Sequence, residues 1–81
     1  MTLPQIHSNG TGKRCLTEGY GNASDKLLDF IDAFGRIEFN PRDYYTQGDD
    51  AFGKARDERD IINQKILEIR QYINAHLEAL Y

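Results

Sequence analysis

The sequence predicts an all-α fold: an antiparallel two-helix hairpin with an extended N-terminal tail and an ordered connecting loop. Three observations carry this. From Asp49 to Leu80 the apolar residues Phe52, Ala55, Ile62, Ile66, Ile69, Ile73 and Leu80 recur at steps of three and four after Ala55, broken only by a polar stop at Arg59. A second stripe of the same period runs through Leu16, Tyr20, Ala23, Leu27, Ile31 and Phe34, with Phe30 beside it. Residues three and four apart stand above one another on a helix, so each stripe is one apolar face. Between the stripes lies a segment of turn chemistry, Arg36 to Gly48.

Residues 1–11 read as the tail. Pro4 biases Leu3 away from helical backbone, and Asn9-Gly10 is a turn signal. Leu3 and Ile6 are expected to lie on the body of the protein. Helix one is predicted over 12–34, capped by the Thr11 hydroxyl and stopped at Gly35. Gly19 and Gly21 each cost about 1 kcal/mol relative to alanine inside a helix, but the stripe keeps its phase across them. The loop, 35–48, is longer than the usual helix–helix connection. It contains Ile37, Phe39, Tyr44 and Tyr45, which predicts a folded cap over the end of the hairpin. Helix two is predicted over 49–80, roughly 48 Å at 1.5 Å per residue, with the carboxylate of Asp49 or Asp50 on its free N–H groups.

Counting back from the turn places Leu16 level with residue 68, so Arg70 to Tyr81 would project beyond helix one. The tail would run along that overhang. Leu67 and Ile61 lie on opposite sides of the main stripe, and two helices cannot bury so wide a face. The expectation is a homodimer in which two hairpins form a four-helix bundle; Ile61, Leu67, Tyr72, His76 and Leu77 are its candidate contact residues. A chain of 81 residues with one cysteine has a small core and no internal disulfide to reinforce it.

Composition excludes several classes. Residues 1–48 carry five basic and six acidic side chains and residues 49–81 five and seven, so neither half offers a field for a phosphate backbone. Nucleic acid is disfavoured as a partner. No apolar run approaches the roughly 20 residues of a membrane helix, and the N-terminus lacks the basic start and apolar core of a signal peptide. The expected setting is the cytoplasm.

The candidate chemistry is thin. His7, Cys15 and His76 match no ligand spacing and no nucleophile–base pattern. Asn9-Gly10-Thr11-Gly12-Lys13 resembles a phosphate loop faintly, but the required glycine and hydroxyl positions hold His7 and Arg14. What remains is a Gly-rich helix start at which His7, Lys13 and Arg14 could hold an anion weakly. Asp25, Asp29 and Asp32 lie off the apolar stripe, as solvated acids do. Arg59, on the stripe, reads as a snorkelling arginine or as the partner of an acid on helix one or the dimer mate. Arg42, Asp43, Tyr44, Tyr45 and Gln47 form the densest polar–aromatic cluster and are the candidate partner-binding surface. The competing reading has the tyrosines closing the hairpin core while Asp43 and Thr46 satisfy turn N–H groups.

Ile6-His7-Ser8-Asn9-Gly10-Thr11 and Arg42-Asp43-Tyr44-Tyr45-Thr46-Gln47-Gly48 together resemble a pattern in small uncharacterised bacterial proteins of prophage-like gene clusters, IHxNGT followed by RDYYxQG. The resemblance implies a helical hairpin without catalytic residues. The function expected is a non-enzymatic, self-associating structural or adaptor protein that requires no cofactor and contacts itself and possibly another protein. The alternative is an anion- or small-ligand-binding regulator using the start of helix one, and an enzyme ranks third.

Overall fold

The computed structural model describes all 81 residues. Two α-helices, α1 (Lys13–Gly35) and α2 (Ala51–Leu80), pack as a hairpin, joined by a loop containing two 3-10 turns at Pro41–Asp43 and Tyr45–Gln47. There are no strands. The molecule measures 60 × 22 × 17 Å, a slab one helix thick. α1 runs unbroken through Gly19 and Gly21, because the stripe formed by Leu16, Tyr20, Leu27, Ile31 and Phe34 is held against α2 on both sides of them.

The ends of the helices depart from expectation. Gly12, not Thr11, is the N-cap of α1, and it offers no side chain to the free N–H groups. Lys13 and Arg14 follow with no acid in the first turn, the unfavourable sign for a helix start. At the other end Gly35 stays helical. The chain leaves through short bonds, Arg36 N–H to Ala33 O (3.2 Å) and Ile37 N–H to Phe34 O (3.2 Å). Asp50 occupies the N-cap of α2, but its carboxylate pairs with Lys54 Nζ at 3.1 Å instead of bonding the backbone.

The register is the main correction. The Arg59 guanidinium reaches the Phe34 carbonyl, and the His76 ring stacks on Tyr20 at 4.7 Å. The C-terminal end of α1 is therefore level with residue 59, and its start is level with Leu80. No C-terminal overhang exists. The loop takes up the difference: Phe39, Tyr44 and Phe52 form an aromatic triangle with centroids 5.2 to 5.9 Å apart, seating the connection on the first turns of α2. Those turns, Ala51 to Glu58, extend beyond α1 and are covered by the loop.

Burial follows the register. Ile73, His76 and Leu80, in the last two turns of α2, are the only fully buried residues. Residues 1–12 form the tail. Leu3 and Ile6 keep 42% and 48% of their surface, and a His7–Gly10 turn closes by Gly10 N–H to His7 O at 3.1 Å.

Candidate functional site

His76, whose place on the core stripe suits either a hydrogen-bonded or an interface histidine, is interior, at 2% exposure. Its Nδ1–H donates to the Tyr72 carbonyl at 2.8 Å, and its ring lies 4.1 Å from the Tyr72 ring and 4.7 Å from Tyr20. Desolvation raises the Tyr20 pKa above its ordinary value, and the neighbouring Tyr72 phenol adds to the rise.

Arg59 finds no acid, contrary to one expectation. Its Nη2 donates to Phe34 O at 3.1 Å, and its guanidinium lies 4.2 Å from the Phe34 ring centroid and 5.0 Å from that of Phe39. One cation thus covers the carbonyl end of α1 and locks the loop to both helices.

Of the loop cluster, Tyr44 belongs to the aromatic triangle and is half-buried, as the packing reading required. Tyr45 points outward at 74% exposure, and Arg42, Asp43 and Gln47 are exposed. The turn N–H groups are satisfied by backbone carbonyls: Asp43 to Asn40, Tyr44 to Pro41 and Gln47 to Tyr44. Asp43 and Thr46 therefore do not perform the role assigned to them. At the start of α1, Arg14 pairs with Glu18 at 3.0 Å on the surface. His7 folds over Gly10, where an added Cβ would meet its Nε2 at 2.6 Å. The three anion candidates are not gathered around one point by any contact.

The largest feature is the pair of flanks left by the hairpin. The inner stripe of α2 is Ile62, Ile66, Ile69, Ile73, His76 and Leu80. Immediately to one side at the same period come Ile61, Lys65, Glu68, Tyr72, Ala75 and Ala79; to the other come Asn63, Leu67, Arg70, Asn74 and Leu77. A groove of about 280 Å³ is lined by Ile31, Phe34, Asn63, Ile66, Leu67 and Arg70 and also by Gly35, which lies on the Leu28 side of α1 and so fixes which side the second of these adjoins. Antiparallel geometry then sets Gly19, Ala23, Lys26, Phe30 and Ala33 beside the first, and Glu18, Asp25, Leu28 and Asp32 beside the second.

The flanks differ in chemistry. The first exposes Phe30, Ile61, Ile62, Ile69 and Tyr72, each between 42% and 56%. The second alternates Leu28 and Leu67 with acids and Arg70. The sequence candidates are thus divided: Ile61 and Tyr72 share the apolar flank, while Leu67 and Leu77 lie on the polar one. Phe30, Ile62 and Ile69 are exposed alongside them. Ile62 and Ile69 hold stripe positions and Phe30 lies beside the stripe, so the helical period assigns them to the intrachain core, and only the hairpin's narrowness reveals that they reach its edge.

No group of three His, Cys, Asp or Glu side chains is placed to hold a metal ion, and no helix is long and apolar enough to cross a membrane. Comparison with family models, curated proteins and solved structures finds no significant match to this chain.

Proposed function

We propose that the protein is a non-enzymatic structural or adaptor protein that acts through self-association, two hairpins closing into a four-helix bundle. One observation carries the reading: the chain exposes 6440 Å², whereas a compact monomer of 9.3 kDa exposes about 5,000 Å². The excess is about 1,400 Å² per chain. Part of it belongs to the tail and loop, and on the helices Leu28, Phe30, Ile61, Ile62, Leu67, Ile69 and Tyr72 are each 42–56% exposed. Removing that excess from two chains would bury nearly 3,000 Å², inside the range of about 2,000–5,000 Å² for permanent homodimers. The radius of gyration agrees, at 18.4 Å against about 12 Å for a compact domain of this length.

In the bundle, Arg42, Tyr45 and Gln47 stay exposed at the loop end, where a further protein would dock. Light scattering over a wide concentration range tests the reading. The expected mass is twice the 9.3 kDa of one chain; a single-chain mass at every concentration would overturn it.

A further inference from the structure

Resting on that reading, we infer that the second copy sits on one flank only, the one bearing Phe30, Ile61, Ile69 and Tyr72. The other flank remains in water. Two observations besides exposed apolar area select this occupant and this face. First, the charges are self-complementary. Over the length paired with α1, the apolar flank carries two lysines, Lys26 and Lys65, and one acid, Glu68. None of the three forms an ion pair within the chain, whose salt bridges are Arg14–Glu18, Arg36–Asp32 and Lys54–Asp50.

A two-fold axis running along the helices brings Lys26 to the partner's Glu68, because residues 26 and 68 are level in the hairpin. An axis across the helices brings Lys65 to the partner's Glu68 when it crosses α2 midway between residues 65 and 68. The other flank has Glu18 and Asp32 already paired with Arg14 and Arg36, and its only large apolar residues left exposed are Leu28 and Leu67, so it gains less from a second copy.

Second, α1 offers small residues on the chosen side. A Cβ added at Gly19 would meet no atom within 4 Å in the single chain. The same open space is found at Gly21 and Gly53, so it does not by itself choose a face; with Ala23 and Ala33, Gly19 leaves room on this one for a facing helix. The chemistry that recognises this surface is therefore its own: aliphatic and aromatic side chains interleaved with small residues, and one acid between two lysines.

The test uses the full chain and three exposed positions, so that the packing inside each hairpin is untouched. Wild type is followed by sedimentation equilibrium beside Ile61→Lys, Glu68→Lys and Leu67→Lys, each checked for helix content. Ile61→Lys and Glu68→Lys should each weaken dimerisation at least tenfold, while Leu67→Lys, on the other flank, should stay within about threefold of wild type. A dimer weakened by Leu67→Lys but not by the other two would overturn the choice of flank and leave self-association standing. A wild-type chain monomeric throughout would overturn both.

Discussion

Arg59 shows how one side chain can organise a small hairpin. The end of α1 has no basic residue in its last turn and no left-handed glycine, so its carbonyls lack the usual partners. Arg59 supplies a charged hydrogen bond to Phe34 O and lies against the Phe34 and Phe39 rings. Arg59→Ala removes the bond and both ring contacts and should cost about 2–3 kcal/mol, read by urea denaturation at fixed protein concentration. Arg59→Lys should recover less than half of that, since an ammonium is a point donor without a flat face. Equal stability of wild type and Arg59→Ala would remove this account. Tyr20 gives a pH prediction. Its folded pKa is raised, so the unfolded chain loses its phenolic proton first as pH rises; the folded state then binds more protons, and stability falls with pH. The contribution is intact below the ordinary tyrosine value of about 10 and disappears as pH climbs through the raised one. Above about pH 10, unfolding of Tyr20→Phe should show a shallower loss of stability; parallel curves for the two proteins would contradict it.

At the scale of elements, both helices were legible in the sequence and their alignment was not. The steps of three and four placed α1 and α2 to within two residues at either end, because a stripe of that period has no other regular conformation. The register depended on the loop. Thirteen residues counted as a simple turn leave three turns of α2 unpartnered. In fact the 3-10 turns and the Phe39–Tyr44–Phe52 triangle seat the loop on α2, moving the end of α1 to Arg59. Nothing periodic marks such a return; only the density of aromatics hinted at it. The return depends on Gly48, whose φ of +122° and ψ of 164° suit glycine alone. Gly48→Ala should cost about 1–3 kcal/mol in thermal or urea unfolding. The helix glycines predict the reverse. Gly21 and Gly53 have open space where a Cβ would stand, so alanine at either should stabilise by about 0.5–1 kcal/mol.

For the whole molecule, the decisive quantity is how little one chain buries. Three interior residues at one end of a 60 Å slab are little to set against the ordering of two long helices, since fixing each residue costs about 1–2 kcal/mol in backbone entropy alone. The sequence exposed this shortage through Ile61 and Leu67, on opposite sides of α2. It could not show that Leu67 belongs to a charged flank, because the acids beside it come from the other helix. If dimerisation supplies the missing burial, folding and association are one transition, and stability depends on concentration. Each tenfold dilution should then lower the unfolding free energy by about 1.4 kcal/mol, and the far-ultraviolet helix signal should melt at progressively lower temperature. Ile61→Lys should melt early at every concentration and lose most of that dependence. A midpoint constant over a thousandfold dilution would mean that the loop triangle, Arg59 and the Tyr20–His76 stack suffice to hold a single hairpin.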